Sequence, residues 1–211
     1  MDCMKYHELP AFFQGAADIF AEKKEELCEM DANMGDGDLG LTMEKGFGAL
    51  PQLIRENGEE GNIGKTLMKA GMKMSGLVPS TMGTLMASGI MEGGKAIGKK
   101  GEMGPGELAD FLAGFARGIA HRGKCQLGDR TILDAVDAGA RKAQEACAEG
   151  ADMGAMLRRA AEGAKEGVKA TEDMLPKYGK AAVFSAKAKG VPDQGAVAGQ
   201  YFLEGLGRYF L

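Results

Sequence analysis

The stretch from Leu27 to Phe47 reads L-C-E-M-D-A-N-M-G-D-G-D-L-G-L-T-M-E-K-G-F. Helical spacing on either side brackets a short acidic turn. Asp31, Asp36 and Asp38 fall close together, separated by Gly35 and Gly37 and followed by Gly40. Glycine adopts positive φ without a Cβ clash, so such a turn can bring side chains together. Three convergent carboxylates repel one another unless a cation lies between them. An all-oxygen donor set with no neighbouring His or Cys suits a hard cation such as Mg2+ or Ca2+. From Gly40 onward, Met43, Phe47, Leu50 and Ile54 recur on one helical face. A helix N-terminus, with its unsatisfied N–H groups, therefore faces the same loop and favours phosphate. Together these features predict a nucleotide di- or triphosphate held through metal. The plainer alternative is a Gly/Asp-rich helix cap with Asp38 as the capping residue. An EF-hand does not fit: counted from Asp31, the twelfth position is Thr42, where a Glu is needed.

Working outward, the pattern is helical almost throughout. A first helix is expected over 5–29, with Phe12, Phe13, Ala16, Ile19, Phe20 and Leu27 on its apolar face. A second covers 40–56. Asn62 reads as the N-cap of a third, which 77–82 interrupts before a fourth over 83–99. Pro105 opens a fifth. Asp129 is expected to cap a sixth over 130–149, and Asp152 a seventh. A Lys/Gly/Ala-rich connection, 176–193, precedes a last helix over 195–211. Short connections favour antiparallel neighbours, so about eight helices should close into one all-α bundle or barrel, a single domain over 1–211.

Composition narrows the function. The chain has 211 residues, 45% hydrophobic and 27% charged, with a net charge of -4. An acidic chain without Trp, and only 6% aromatic, lacks the basic face and stacking platforms of a nucleic-acid binder. Its four cysteines form no C-x-x-C pair, which points to reduced thiols and a cytoplasmic setting. The first residues do not read as a signal peptide. Met74 to Met91 is uncharged but carries Pro79 and several Gly, Ser and Thr, and is expected to be buried in protein rather than membrane.

Other features are weaker. G-N-I-G-K-T at 61–66 lacks the first glycine of a P-loop, since position 59 is Glu59, and no strand precedes it. His7 and His121, the only histidines, have no triad partners nearby in sequence and read as surface or helix-end residues. The fifteen methionines fall mostly at helical spacing and suit core filling. Lys177, Lys180, Lys187 and Lys189 form a basic connection that is either solvated or placed to neutralise phosphate.

The run 27–47 resembles the nucleotide-binding L subunit of dihydroxyacetone kinases, DhaL. The resemblance continues through G-M at 71, G-T at 83, R-G-K at 122, G-D-R-T at 128 and D-Q-G-A at 193. It implies an eight-helix antiparallel barrel that binds ADP or ATP at one end through two Mg2+ ions. On this resemblance Asp31, Asp36 and Asp38 are metal ligands. Leu39, Gly40, Leu41 and Thr42 form the helix start that receives phosphates. Gly123 and Ile132 line the adenine pocket, and Asp193, Gln194 and Gly195 match the family's Asp-Pro-Gly loop. Lys180 stands where the family has an Arg and is grouped with the Asp triad as catalytic. The chain departs from the pattern where a family Ser falls on Val78, with Ser80 as a substitute, and where the family's glycine-arginine-alanine-serine motif reads G-K-A-A. Lys for Arg keeps the charge but loses the bidentate fork.

The resemblance implies one half of a kinase for dihydroxyacetone or a related short ketose. A separate K-type subunit would hold the ketose, and either ATP or a phosphocarrier subunit acting on bound ADP would supply phosphate. No nucleic acid or membrane partner is expected. The alternative is a non-catalytic nucleotide-sensing regulatory module that binds a partner protein.

Overall fold

A computed structural model of the chain describes residues 3–178, 182–183 and 188–211. Among these the helices are α1 (Leu9–Glu22), α2 (Lys24–Ala32), α3 (Leu39–Asn57), α4 (Ile63–Leu77), α5 (Thr81–Ile97), α6 (Pro105–Gly123), α7 (Ile132–Ala148), α8 (Met153–Thr171) and α9 (Gln194–Gly207). Two short strands, β1 (Met4–Lys5) and β2 (Glu102–Met103), pair antiparallel.

The closed all-α bundle expected from the sequence is present. Around the ring each helix packs on the next: α1 on α3, then α4, α5, α6, α7, α8 and α9, which returns to α1. The short α2 lies outside this ring against α3 and α9. Apolar stripes at helical spacing turn inward, and the rings of Phe13, Phe111, Phe115, Phe202, Phe47 and Phe20 touch in succession through the centre. Each such fully buried ring contributes on the order of 1.5–3 kcal/mol. Some helices meet backbone to backbone. A Cβ on Gly15 of α1 would lie 2.2 Å from the carbonyl oxygen of Gly205 on α9, so only glycine allows that contact.

Three sequence expectations need correction. The helix expected over 5–29 is broken at Lys23, which lets α2 swing away from α1. The break is held by distant groups: Tyr201 Oη donates to Glu26, and the Lys23 ammonium pairs with Glu26 at 2.7 Å and lies 5.2 Å from the Tyr201 ring centre. Second, Asp129 does not cap the sixth helix. Thr131 does, accepting from the Leu133 N–H, while Asp134 accepts from the Thr131 N–H. The T-x-x-D spacing at 131–134 is a capping-box signature and was the better signal. Third, the helix expected over 195–211 gives way to a short 3-10 turn at Arg208–Phe210. Asn62 and Asp152 cap α4 and α8 as expected. The uncharged segment 74–91 spans the end of α4 and the start of α5, and no described helix is long and apolar enough to cross a membrane. His7 and His121 are exposed, the latter in the last turn of α6.

Candidate functional site

One end of the ring gathers the starts of α3, α5, α7 and α9. Asp31 ties the start of α3 to that of α9, accepting from the Leu39 N–H and from the Gln194 side chain. A Cβ on Gly195 would lie 2.9 Å from Cε of Met82 on α5 and 3.5 Å from the backbone nitrogen of Ile132 on α7. Four helix N-termini, each carrying partial positive charge, therefore converge at this end.

The acidic turn sits among them. Asp31 belongs to the last turn of α2 rather than to the loop, and it is buried. Its backbone carbonyl accepts from the N–H groups of Met34 at 3.1 Å and Gly35 at 2.5 Å, which winds the chain back past its own side chain. Oδ2 then accepts from the N–H groups of Gly37 at 2.9 Å, Asp38 at 3.1 Å and Leu39 at 3.4 Å. Gly37 makes this turn with φ of 77°. Gly35 leaves room at Oδ1, from which a Cβ would be only 2.2 Å away. Asp36 and Asp38 are exposed, and each offers a carboxylate oxygen to the same spot: the three ligand atoms lie within 4.8 Å of one another. Asp38 occupies the N-cap position of α3 without a side-chain capping bond, so capping alone does not account for it. The donor set is all oxygen, the chemistry a hard divalent cation takes.

Behind this turn, α3 starts close against α2. A Cβ on Gly40 would lie 1.9 Å from the carbonyl oxygen of Lys24. Leu39 and Gly40 are buried, whereas Leu41 is 54% exposed and Thr42 half-buried. Beside the α5 start lies an open cleft of about 380 Å³, lined by Pro79, Ser80, Thr81, Thr84, Leu85, Arg122 and Gly123. Ser80 caps α5, accepting from the Gly83 N–H at 3.0 Å. Ser80 and Gly123, both singled out from the sequence, thus share one cleft. Val78 and Ile132 do not line it. Val78 is buried against Gly46 and Gly83, and Ile132 packs against Gly199. Lys180 lies outside the described residues.

The G-D-R-T loop has a structural role that its sequence does not announce. Arg130 is buried with a left-handed backbone, φ 59°. Its guanidinium donates to the carbonyls of Thr171 at 3.2 Å, Ala188 at 3.3 Å and Val191 at 2.8 Å, and Nη1 stands 3.8 Å from Asp193 Oδ1. Asp193 is buried and caps α9, accepting from the Ala196 N–H at 2.9 Å, and burial pushes its carboxyl up to about 6. Ala188 in turn packs on Met34 of the acidic turn. Further out, Lys177 pairs with the Asp129 carboxylate, and Tyr178 Oη donates to the Lys124 carbonyl at 2.8 Å. That pairing lowers the Asp129 carboxyl and raises the Lys177 amine. The loop 124–131 therefore carries the connection that leads into α9.

With this geometry in place, comparison with known proteins decides the family. The DAK2 domain model matches residues 33–208. The chain belongs to the DAK2 domain family. A D-erythrulose kinase of Mycolicibacterium smegmatis is 29% identical over 187 residues, 88% of this chain and 32% of that protein. An L-erythrulose kinase of Pectobacterium atrosepticum is 28% identical over 91% of this chain and 33% of its own length. This chain thus spans about a third of those DAK2 relatives. The ADP-binding subunit DhaL of PEP-dependent dihydroxyacetone kinase 2 from Listeria innocua is 28% identical, with 88% of both chains covered. The same fold occurs in the crystal structure of the dihydroxyacetone kinase of C. freundii in complex with AMP-PNP and Mg2+: TM-score 0.68, 21% identity, 94% of this DAK2 chain and 33% of that one.

Proposed function

We propose that this chain is the nucleotide-binding, phosphoryl-transferring subunit of a dihydroxyacetone kinase or related short-ketose kinase, using Mg2+-bound ADP or ATP. The observation that carries the reading is the convergence of Asp31, Asp36 and Asp38 with four helix N-termini at one end of the ring. The carboxylates call for a cation, and the helix ends call for an anion. A metal-bound di- or triphosphate satisfies both. The names of the Listeria relative, an ADP-binding DhaL subunit, and of the C. freundii complex agree with that ligand.

In this reading two Mg2+ ions are held by Asp31, Asp36 and Asp38 and would neutralise the charge that builds on the transferred group. Asp31 is fixed for the task through Oδ2 and accepts from the Gln194 side chain at Oδ1, and with Asp36 and Asp38 it would hold the ions. The N–H groups opening α3, at Leu39, Gly40, Leu41 and Thr42, receive phosphate oxygens. The Ser80–Gly123 cleft takes the base, and Lys180 adds positive charge at the transferred group.

A ketose and a group to orient it would come from a K-type partner subunit. Leu41, Leu77, Leu127, Leu175, Tyr178 and Val191 are all exposed and all belong to segments at the site-bearing end, which suits a surface that docks. The resident nucleotide would then either be ATP or be ADP recharged by a phosphocarrier.

The test begins with thermal shift. ADP should stabilise wild type only when Mg2+ is present, and Asp36→Asn should abolish that gain. Equal stabilisation in EDTA would sink the metal assignment. Dihydroxyacetone and erythrulose should then be assayed with the chain alone and with a K-type subunit. Turnover only in the second case is expected; robust turnover by the chain alone would refute the half-enzyme reading. Nucleotide binding without turnover beside such a subunit would favour the regulatory module.

A further inference from the structure

We infer that Tyr201 is a positioning residue of the acidic cation site: through Glu26 it fixes how α2 is set, and with it the place of the Asp31 carboxylate. The inference rests on the metal reading of Asp31, Asp36 and Asp38. Tyr201 stands on α9 and acts at the start of α2, whereas Asp31 lies in the last turn of that helix.

Packing alone holds α2 loosely. The helix has nine residues, of which only Leu27 and Asp31 are buried, with Met30 half-buried beside them. It lies outside the ring, against α3 and α9. Helices this short are marginal without outside support. The contact between Gly40 and the Lys24 carbonyl sets how near α2 lies to α3, not how it is turned. A small roll of α2 about its own axis would carry the Asp31 side chain away from Asp36 and Asp38, which belong to the turn that follows.

Side-chain bonds to α9 supply what packing does not. In the last turn of α2, Asp31 Oδ1 accepts from the Gln194 side chain at 3.3 Å. In its first turn, Glu26 Oε1 accepts from Tyr201 Oη, and Oε2 accepts from the Lys23 ammonium at 2.7 Å. That ammonium lies 5.2 Å from the Tyr201 ring centre, which closes a triangle of three groups at the break between α1 and α2. The two attachments are more than one turn apart on α2 and about two turns apart on α9. The short helix therefore runs antiparallel along α9 and is held at both ends. The Lys23–Glu26 pair is partly exposed and contributes little by itself. Tyr201 is buried, and its hydroxyl is the directional member of the triangle.

The measurement is Mn2+ binding by electron paramagnetic resonance, with Mg2+ in competition and no turnover assay. A matched control is Tyr209, whose hydroxyl donates to Glu8 at 2.6 Å beyond the far end of α9. Tyr201→Phe and Tyr209→Phe each delete one Tyr–Glu hydrogen bond and keep the ring. Tyr201→Phe should weaken Mn2+ binding by about threefold or more, because outer partners of metal ligands contribute about tenfold or more and this one acts a step further back. The resonance of the bound ion should also change shape, since it reports the arrangement of its ligands. Tyr209→Phe should leave both readouts as in wild type. Glu26→Gln keeps an acceptor for the Tyr201 hydroxyl and should bind near wild type, whereas Glu26→Ala should match Tyr201→Phe. Combining Tyr201→Phe with Glu26→Ala should weaken binding no further than either change alone. Wild-type Mn2+ affinity in Tyr201→Phe, or an equal loss in Tyr209→Phe, would overturn the proposal by showing a bond that serves stability alone. Asp36→Asn separates the two readings: if it fails to bind Mn2+, the metal reading stands whatever Tyr201→Phe does. If it binds like wild type, both fall.

Discussion

The acidic turn at 31–39 and the clamp at 124–131 both shape the same end of the molecule, but by different means. The turn is local. Every backbone bond that fixes Asp31 Oδ2 comes from within eight residues. The clamp is remote: Arg130 reaches carbonyls 41, 58 and 61 residues further on. A local device can be read in the sequence, because the donors and acceptors sit in one window. A remote one cannot, because its partners are chosen by packing. The site depends on both, since Asp31 is gripped by its own turn on one side and by Gln194, at the end of the clamped connection, on the other.

The sharpest way to break the comparison is to remove the remote device alone. Arg130→Met should destabilise the fold by about 3–5 kcal/mol, because it strands buried carbonyls and leaves Asp193 without its cation. Arg130→Lys should cost less, since the charge remains while the fork that serves separate carbonyls is lost. Urea denaturation at 25 °C checks both. A loss below about 1 kcal/mol for Arg130→Met would mean that the connection is held by other contacts and that α9 needs no clamp.

The local device is tested at Gly40. A Cβ there meets the Lys24 carbonyl, a backbone group that cannot rotate away. Gly40→Ala should therefore force α2 and α3 apart, at a cost of about 1–3 kcal/mol, and should disturb the turn between them. Gly48, further along the same helix, serves as the control, because a Cβ there would meet no atom of another described segment within 4 Å. Gly48→Ala should be neutral or stabilising, as expected for helix propensity. Equal effects at the two glycines, read by thermal melting, would dismiss the close α2–α3 approach as a determinant of the site.

These contrasts explain what was legible. The ring of helices, the start of α3 and the caps at Asn62 and Asp152 rest on spacing and on side chains within one turn of their partners. Asp31, Asp36 and Asp38 could be grouped because three glycines bound so short a turn. The break at Lys23 was not legible, having neither Pro nor Gly; it is held by Tyr201, far along the chain. Nor could Arg130 be told from an ordinary loop residue. Its burial is decided by segments that the sequence around it does not mention. Asp129 was misread for a related reason: its side chain serves the Gln126 N–H and Lys177 instead of the helix that follows.

The smallest expected effect comes from pH, and it joins the two devices at Asp193. Burial raises this carboxyl from 3.8 to about 6, opposed by the Arg130 charge and reinforced by Asp134. A carboxyl raised in the folded state favours folding in its protonated form. Its contribution is fully present below the unfolded value of 3.8 and is lost as pH rises through about 6. Between about pH 5 and 7.5 the loss is on the order of 1 kcal/mol. Glu8, Glu22 and Glu26 are shifted downward and pull the other way at lower pH, so the absolute melting curve mixes both signs. The difference between wild type and Asp193→Asn separates them. Asn still accepts the Ala196 N–H and preserves the cap, but it does not titrate. The variant should therefore gain on wild type by about 1 kcal/mol as pH is raised from about 5 to 7.5. A constant difference across that window would mean that Asp193 is held charged by Arg130 throughout, making the clamp an ion pair rather than a set of hydrogen bonds to carbonyls.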